Sequence, residues 1–451
     1  MMQCAPPSLP RWGNRSAILV DLANIFDRID SAGNQDIKLL TYQILPKGFY
    51  CQRRIRCPSL LIGIGLLVNF VPLAIAAPAL DLNNIDQLKK AASAAMNNLM
   101  SYYSPNFRGA FDTDVTPWHE SLMIWSLNFD YASYVGDAHH LGTVQNALYR
   151  QSNNQSHSFI VNVPQQWNDD ALWGAQVPVA AAEYFGPQAK LPKSSETWIH
   201  LAQKTLRQVE PQTNQSCGGG LFWYRTRSDP DRGSYKALIT NSEFISVAAR
   251  GYLITKDKNA LEYAKTIIEW VIGTSSGLAD VKTGRLQDGL KATKESCTIT
   301  PDEWSYNYGQ WLGSLAWMHR ATEDQKYLDM ASPFFYRSLK VFAPSGVIAE
   351  LCEPDSCKRD PKGFKAIYVR NLVYLHQETN DQALKKDIQN VIDTSVKAMV
   401  KTSCDADFNC AAAWAAGRPP EKNVRSQHVS AALLVSAVGI HRPPAKAGRG
   451  N

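Results

Sequence analysis

Two adjacent aspartates between tryptophans are the residues of this chain whose types and spacing most directly suggest chemistry. Asp169 and Asp170 follow Asn168 in the segment QQWNDDALWGA, with Trp167 before them and Trp173 after them. At a helix start, Asn168 would be the N-cap and both carboxylates would lie in the first turn, where the helix dipole favours negative charge. Paired carboxylates beside aromatic rings are also what glycoside hydrolysis requires. The local sequence leaves both interpretations open.

Further aromatic residues collect where loops meet the predicted helices. Sugar rings expose apolar C–H faces that stack on aromatic side chains, while their hydroxyl groups need nearby carboxylates, amides and guanidinium groups. Trp270 and Trp317 fall at mid-helix positions and are predicted to be core residues. The junction residues indicate a carbohydrate-binding cleft. They are Trp118, Trp125, Trp167, Trp173, Trp223, Tyr224, Trp304, Tyr306, Tyr308 and Trp311.

The elements that must position these residues are predominantly helical. Twelve windows between residues 84 and 440 carry apolar residues at helical spacing, and few segments alternate as strands do. The long connections, residues 104–117, 209–236, 273–303 and 342–362, contain Gly, Pro, Asp and Ser. Six helical hairpins in a ring predict an all-α fold, an (α/α)6 toroid of about twelve helices with a cleft at one end. A linear helical array is the alternative, but it usually shows a regular repeat, and none is visible.

Composition and charge exclude some classes of partner. The 451 residues suffice for a large domain, and 45% of them are hydrophobic. The formal net charge is +6, but residues 1–76 contain eight basic and four acidic residues, which leaves +2 for the remainder. No basic block lies in that remainder. We therefore expect neither nucleic acid nor an anionic membrane surface as a partner.

The N-terminal region predicts export. Three arginines between residues 53 and 56 precede an apolar stretch at residues 60–77, which contains the small-residue pattern Ala-Ile-Ala near its end. This order is typical of a secretory signal peptide, and a membrane anchor is the alternative. We interpret residues 1–59 as a leader outside the fold, residues 60–77 as the signal hydrophobic region and residues 80–441 as one catalytic domain. Residues 442–451 are a polar tail without a lipid-anchor signal.

Six cysteines follow the leader, and an even number in an exported chain indicates three disulfides. Cys352–Cys357 and Cys404–Cys410 are close enough to close small loops, which leaves Cys217–Cys297 as the third pair. Zinc is the alternative, but the spacings are not those of a zinc finger and no histidines cluster beside them. We expect no metal and no cofactor. Asn154 and Asn214 each begin an N-glycosylation sequon.

Eight segments occur in the order seen in a known enzyme family. They are QWNDDALWGAQVPVAAAEYFG, CGGGLFWY, YKALITNSEFISVAARGYLIT, DGL, EWSYNYGQWLGSLAWMHRAT, GVIAELCEP, FKAIYVRNLVYL and CAAAWAAG. From about Tyr102 to Leu434 the chain resembles glycoside hydrolase family 76, the endo-α-1,6-mannanases and related fungal cell-wall proteins. The resemblance implies the (α/α)6 toroid and a reaction that retains the anomeric configuration.

The resemblance also implies a role for each aspartate. Asp169 falls on the family's nucleophile and Asp170 on its general acid/base. Retention requires carboxyl groups roughly 5 Å apart, flanking the glycosidic bond. One carboxylate must stay ionised to attack while its neighbour keeps a proton for the leaving oxygen. When two acids lie this close, ionisation of one raises the pKa of the other. The dipole at a helix start favours Asp169 as the charged partner.

Other positions match the family's cleft and are expected to bind substrate. The polar ones are Glu120, Asn241, Asp288, Tyr306, Asn307 and Arg370, and the aromatic ones are Trp118, Trp167, Trp173 and Trp223. For Arg370 a structural ion pair is an equally good interpretation. One departure is His119, which stands beside Glu120 where many relatives have a tryptophan.

These features predict a secreted or cell-wall-associated, monomeric retaining endo-glycosidase. Its substrate would be α-1,6-mannan or another mannose-containing glycan, and no stable membrane anchor is expected. A transglycosidase is the alternative; it would pass the mannose-containing glycan of a lipid-anchored protein to cell-wall glucan. A silent glycan-binding toroid is a third interpretation, which the presence of both Asp169 and Asp170 argues against.

Overall fold

The computed structural model describes residues 78–153, 157–162 and 166–443. The interpretations of residues 1–77, of Asn154 and of the tail from residue 444 onward lie outside this part of the chain. Besides short helical turns, the described residues form twelve helices. They are α1 (Ile85–Ser101), α2 (Trp118–Val135), α3 (Leu141–Gln151), α4 (Asn168–Phe185), α5 (Trp198–Val209), α6 (Leu238–Thr255), α7 (Lys258–Ile272), α8 (Ser305–Thr322), α9 (Lys326–Phe342), α10 (Phe364–Glu378), α11 (Gln382–Thr402) and α12 (Val424–His441).

Odd-numbered outer helices alternate along the chain with even-numbered inner helices, and each inner helix packs against the outer helix that follows it, with α12 packing against α1. Every inner helix packs against two other inner helices, and α12 packs against α2, so the inner helices close a ring. The inner helices are buried on almost every side, whereas the outer helices bury one apolar face. None of the described helices combines the length and apolar character needed to cross a bilayer. The ring confirms the predicted (α/α)6 toroid.

Several helix starts follow from local sequence. Asn84, Thr197, Asp257, Asp381 and Asn423 precede α1, α5, α7, α11 and α12, and each side chain accepts a hydrogen bond from a backbone N–H of the first turn. Such caps satisfy donors that have no partner within the helix.

The connections at the two ends of the ring differ in length. Residues 273–304 lead into inner helix α8 and residues 343–363 into α10, whereas residues 256–257 and 323–325 connect inner to outer helices. Because successive helices run in opposite directions and every second helix is an inner one, all six inner helices begin at the same end of the ring. The long loops therefore collect at the N-termini of the inner helices and build the surface that can hold a site.

Five short strands lie on two of these loops. Strands β1 (Tyr235–Ala237), β4 (Gly289–Ala292) and β5 (Cys297–Thr300) form an antiparallel sheet in the order β1-β4-β5. Strands β2 (Ala279–Asp280) and β3 (Arg285–Leu286) pair separately. The sequence did not predict these strands, because two to four residues are too few for a period-two pattern to be recognised.

The three expected disulfides are present. Cys217–Cys297, Cys352–Cys357 and Cys404–Cys410 have Cα–Cα distances of 5.7, 4.7 and 4.1 Å. The first of them joins the glycine-rich loop before α6 to strand β5 before α8. It thus connects two of the long loops that build the same end of the ring.

Candidate active site

The adjacent aspartates lie in the first turn of α4, at the N-terminal end of the inner ring. The expected N-cap role of Asn168 is wrong: the helix begins at Asn168, Trp167 takes the cap position, and it makes no side-chain cap bond. The Asn168 amide instead donates to the carbonyl of Phe222 at 2.7 Å, and its backbone N–H donates to the carbonyl of Trp223 at 2.8 Å. The side chain that was expected to cap the helix is therefore hydrogen-bonded to the neighbouring loop instead.

Both carboxylate oxygens of Asp169 accept hydrogen bonds. The indole Nε1–H of Trp223 donates to Oδ2 at 2.7 Å, and the backbone N–H of Asp170 donates to Oδ1 at 3.0 Å. An ionised carboxylate only accepts hydrogen bonds, so two donors suit the charged form of this group. The bonds also fix the direction in which Asp169 can present an oxygen to a substrate.

Asp170 contacts a different partner. Its Oδ1 lies 3.2 Å from Nδ1 of His119, which stands in the first turn of the neighbouring inner helix α2. Only 7% of Asp170 is exposed. The two aspartates therefore have unequal surroundings: Asp169 is bound by neutral donors and Asp170 by a side chain that can carry a positive charge.

The pKa values of Asp169 and His119 follow from their burial and from the charges around them. Burial and the charge of Asp170 raise the pKa of Asp169 to about 7, against the lowering effect of the Trp223 hydrogen bond. Burial opposes the charge of His119, but Asp170, Glu120 and Asp169 together raise the His119 pKa to about 9. The helix dipole expected to favour an Asp169 anion is outweighed by burial. Below about pH 7 the two carboxyl groups thus hold one proton beside a charged imidazole, and that proton belongs to the pair.

Three of the four candidate stacking tryptophans remain partly exposed. Trp118, Trp167 and Trp223 are half-buried, and the ring of Trp223 lies 5.7 Å from that of Trp167 and 5.8 Å from that of Tyr235. Trp173 is only 5% exposed and packs in the core, so it has no open face for a sugar. Trp125, Tyr308 and Trp311 are likewise fully buried in the core.

A second aromatic group stands at the starts of α8 and α10. The rings of Tyr306 and Phe364 stack at 3.9 Å with an interplanar angle of 15°, and Trp304 meets Phe364 edge-on at 5.6 Å. The charge of Asp169 contributes to the raised pKa of Tyr306, after burial and Asp288, so the two side chains are near enough to interact electrostatically. Phe364 was not among the sequence candidates, since a phenylalanine at a helix start carries no chemical signal of its own.

Asp288 contacts two other candidate residues, Tyr306 and Asn307. Tyr235 donates its hydroxyl to Oδ2 of Asp288 at 2.6 Å, and Asn307 donates its amide to Oδ1 at 2.9 Å. Burial raises the pKa of Asp288, while bonds from Tyr235, Asn307 and Tyr306 oppose that rise. The β1–β4 pairing brings Tyr235 beside Asp288, and a Cβ at Gly289 would lie 2.6 Å from the Tyr235 ring. Glycine is therefore required for this close approach.

Asn241 supports the glycine-rich loop. It is fully buried, its Oδ1 accepts from the N–H of Leu221, and its amide donates to the carbonyls of Leu221 and Ala237. The same loop packs on Trp270, since a Cβ at Gly220 would lie 2.3 Å from that ring. These contacts hold the segment that presents Trp223 to Asp169, so the side chain of Asn241 is occupied by backbone groups and acts on the site indirectly.

Glu120 is held in an ion pair. Nε of Arg425, at the start of α12, lies 2.9 Å from both carboxylate oxygens of Glu120, which is 3% exposed. Possible ligand atoms of His119, Glu120 and Asp360 lie within 4.8 Å of one another, as the ligands of a metal would. The Arg425 guanidinium already neutralises Glu120 and would repel a cation, so we assign no metal to this group.

Arg370 lies away from the aspartates. Its guanidinium donates to Asp130 at 2.7 Å and to Ser126 at 2.8 Å, farther along α2 than Glu120. Tyr374 completes this buried group by donating to Asp130 at 2.9 Å. The structure therefore provides the ion pair that was the alternative interpretation of Arg370, and within the described part of the chain no contact places this side chain at the cleft.

Several residues near the pair were not identified as site residues from the sequence. Tyr235, Arg425 and His119 gain their importance from partners distant in sequence, although His119 was visible as a departure from the family pattern. Glu243 in α6 is fully buried, and neither carboxylate oxygen has a hydrogen-bond partner within the described part of the chain. Burial and the nearby aspartates raise its pKa well above 4.5.

Comparison with known proteins assigns this arrangement to a family. A mannan endo-1,6-alpha-mannosidase of Saccharomyces cerevisiae is 28% identical over 353 residues, covering 75% of this chain and 76% of that protein. The crystal structure of Dfg5 from Chaetomium thermophilum in complex with glucosamine superposes with a TM-score of 0.72 at 24% identity, covering 82% of this chain and 95% of that one.

A bacterial relative carries a similar fold. It is an α-1,6-mannanase of Salegentibacter sp. HEL1_6, solved as an inactive variant with two adjacent aspartates replaced by alanine and in complex with α-1,6-mannotetrose. Its TM-score is 0.65 at 18% identity, covering 79% of this chain and 99% of that one. The profile of glycosyl hydrolase family 76 matches residues 87–447, which include the whole inner ring. The chain therefore belongs to glycosyl hydrolase family 76.

Proposed function

We propose that this protein is a secreted or cell-wall-associated retaining endo-glycosidase that hydrolyses α-1,6-mannosidic linkages in mannan. The observation that carries the proposal is the Asp169–Asp170 pair with its unequal partners, Trp223 on one carboxylate and His119 on the other. The names of the fungal relatives and the mannotetrose complex of the bacterial relative support mannan as the substrate. That relative is inactive when two adjacent aspartates are replaced, which agrees with the same chemistry.

In the first step, an oxygen of Asp169 forms a bond to the anomeric carbon while the glycosidic bond breaks. The electron pair of that bond stays with the leaving oxygen, which takes a proton from Asp170. The product is a mannosyl ester of Asp169 and a shortened glycan with a free hydroxyl group. The hydrogen bonds from Trp223 and from the Asp170 N–H hold Asp169 in a fixed orientation for this attack.

In the second step, Asp170 is the base. It takes a proton from a water molecule, whose oxygen attacks the same anomeric carbon and releases Asp169 as a carboxylate. Two inversions at one carbon give net retention. The number of protons held by the pair supports this cycle. One proton shared by two carboxyl groups leaves one carboxylate and one carboxylic acid, which are the two groups that the first step needs.

Substrate positioning would come from the aromatic and polar side chains around the pair. The partly exposed rings of Trp223 and Tyr306 offer apolar faces to a sugar, and Asp288 offers carboxylate oxygens to its hydroxyl groups. Tyr235 and Asn307 hold Asp288 in place through its two oxygens. We expect these residues to bind the mannose whose bond is cleaved.

Transfer to a sugar acceptor instead of water is the second candidate. The Chaetomium thermophilum relative, which was solved in complex with glucosamine, favours it, because an amino sugar is not a component of plain mannan. Both reactions share the first step and differ in which hydroxyl group Asp170 deprotonates. Products formed with and without an added oligosaccharide acceptor distinguish them.

The experiment compares Asp169→Asn with Asp170→Asn on linear α-1,6-mannan and on an α-1,6-mannobioside with a good leaving group. Asp169→Asn should lose activity on both substrates, because no nucleophile remains. Asp170→Asn should lose about 10²–10⁴-fold on mannan but much less in the first step on the activated substrate, which needs no acid. Added azide should restore turnover of Asp170→Asn by replacing base-activated water.

The anomeric form of the first product, followed by NMR, tests retention. An α-configured initial product from the unmodified protein supports the double displacement, whereas a β-configured product would remove the nucleophile role of Asp169. Equal losses for both variants on both substrates, without azide rescue, would leave the aspartates as structural residues of the helix start.

A further inference from the structure

His119 faces Asp170 between the first turns of α2 and α4. Its Nδ1 lies 3.2 Å from Oδ1 of Asp170, and the two side chains are 21% and 10% exposed. Ion pairs shielded from water interact far more strongly than exposed ones. A side chain that cannot be protonated could not make this charged contact with Asp170.

The charges around His119 favour its protonated form. On the acidic side they are Asp169, Asp170, Glu120 and Asp360, and on the basic side they are Arg425 and Arg225. Arg425 is bound to Glu120, and Arg225 donates to the backbone carbonyls of Trp167 and Ile160. The acidic groups outnumber the basic ones, and they outweigh burial to raise the His119 pKa to about 9. His119 thus carries a positive charge at neutral pH.

We propose that His119 is a positioning residue of the reaction: its imidazolium pairs with Asp170 and stabilises the carboxylate that Asp170 becomes on protonating the leaving oxygen. The inference rests on the proposed function, since it concerns the acid of that reaction. The proton that moves is the one on Asp170, and His119 keeps its own throughout. In the first step the negative charge that the glycosidic electron pair would place on the leaving oxygen appears on Asp170 instead, 3.2 Å from a positive charge.

The same charge has an opposite effect on the second step. An imidazolium beside Asp170 makes that carboxylate a weaker base, because it opposes the uptake of a proton from water. His119 therefore favours departure of the leaving group in the first step and disfavours the attack of water in the second step. The benefit should be largest for substrates with a poor leaving group, such as mannan, and smallest for an activated glycoside.

The test is the pH dependence of kcat/KM for His119→Asn. The Asn amide nitrogen can stand close to where Nδ1 stands and can still donate a hydrogen bond, but it carries no charge. Loss of the positive charge should move the basic limb on α-1,6-mannan upward by about one pH unit, because an opposite charge this close lowers a carboxyl pKa by one to three units. At pH 5 we expect kcat/KM on mannan to fall by about three- to tenfold, and on the activated mannobioside by less than twofold.

Two further variants separate charge from structure. His119→Lys keeps a positive charge and should leave the basic limb within a few tenths of a unit of its original position. His139→Asn removes a matched histidine–aspartate contact, Nδ1 to Oδ1 of Asp137 at 2.7 Å, on an exposed part of the chain and should change neither rate nor profile. A basic limb that stays in place for His119→Asn, or moves equally for His119→Lys, would overturn the proposal.

A second measurement needs no turnover. In ¹⁵N-histidine NMR spectra of the full chain, the resonance missing from His119→Asn identifies His119 among the nine histidines. Its titration midpoint should fall by at least about one pH unit in Asp170→Asn, which removes the facing charge. An unchanged midpoint would also contradict the pair. If the unmodified protein cleaves no α-1,6-mannoside, the proposed function fails instead, and this titration still reports whether the pair exists.

Discussion

At the residue scale, the site contains several buried charged side chains. Each would destabilise the folded protein if it were buried alone, and its neighbours in the site reduce that cost. Asp169 and Asp170 share one proton, His119 and Arg425 supply positive charge, and Glu120 joins the two basic residues. Removing one member leaves its partner charged and poorly solvated. Each member therefore affects the stability of the fold as well as the chemistry.

We predict that Arg425→Met lowers the free energy of unfolding by about 3–5 kcal/mol, because it leaves Glu120 buried without its partner. Urea denaturation at pH 7 measures this change. Arg418→Met removes a surface pair with Asp355 and serves as the control, with an expected loss of about 0–1 kcal/mol. Equal effects of the two substitutions would mean that the Glu120 pair is effectively solvated.

Glu243 gives a prediction about pH. Its pKa in the folded protein is raised well above 4.5 by burial, so it stays protonated after the unfolded chain has lost that proton. Stability should then fall as pH rises above about 4.5, by up to about 1.4 kcal/mol for each pH unit until the folded pKa is reached. Glu243→Gln, which is isosteric and uncharged, should remove this part of the slope above about pH 4.5.

The control for that measurement is Glu295→Gln, whose side chain is exposed. It should leave the dependence of unfolding free energy on pH unchanged. If Glu243→Gln gives the same slope as the unmodified protein, Glu243 is ionised in the folded state and must have a partner outside the contacts described above.

At the element scale, long loops are made rigid by cross-links and by a small sheet. The glycine-rich loop is held by Asn241, by packing on Trp270 and by Cys217–Cys297, and it presents Trp223 to Asp169. Strands β1 and β4 hold Tyr235 beside Asp288. The ring of helices alone would not orient either contact, since both come from loops.

The disulfides should differ in their contribution to stability. Replacing both cysteines of Cys217–Cys297 by serine should cost about 4.5 kcal/mol in the loop-closure model, because the bond spans 80 residues. The same change at Cys352–Cys357, which spans five, should cost about 2 kcal/mol. Denaturant unfolding of the two double variants measures the difference. A larger loss for the short loop would show that native contacts, not chain entropy, set these values.

At the scale of the whole molecule, the inner ring is closed by its last helix. Helix α12 packs against α10, α1 and α2, and Arg425 at its start reaches Glu120 at the start of α2. Gln427 also donates to the carbonyl of Ala95 in α1. The first and last helices of the domain therefore depend on each other, as expected for a fold that unfolds in one cooperative step.

We predict that a chain beginning at Pro78 folds and unfolds in a single transition, because all twelve helices and the three disulfides lie after this residue. Coincident far-ultraviolet circular dichroism and tryptophan fluorescence curves would support it, and separate transitions would contradict it.

The exported protein should begin near Ala77, as the signal-peptide pattern predicts, and N-terminal sequencing measures this. The presence of residues 1–50 on the exported protein would contradict this prediction.

The sequence by itself determined the elements and much of the covalent framework. The twelve helices lie where the sequence has apolar residues at helical spacing, and in the outer helices this local periodicity also shows which side is buried. Chain order and even cysteine count gave the disulfide pairs. The aspartate pair was visible because its chemistry needs two acids at one place, and adjacency in sequence already supplies that.

The tertiary structure alone decided which candidate side chains face the cleft. Asn241 and Trp173 match family positions, yet one is occupied by backbone groups and the other is buried in the core. His119 and Asp170 stand about fifty residues apart in sequence and meet because α2 and α4 are neighbours in the ring. Periodicity shows which face of a helix is buried but not which helix lies against it, so contacts between helices, and the charges they bring together, required the fold.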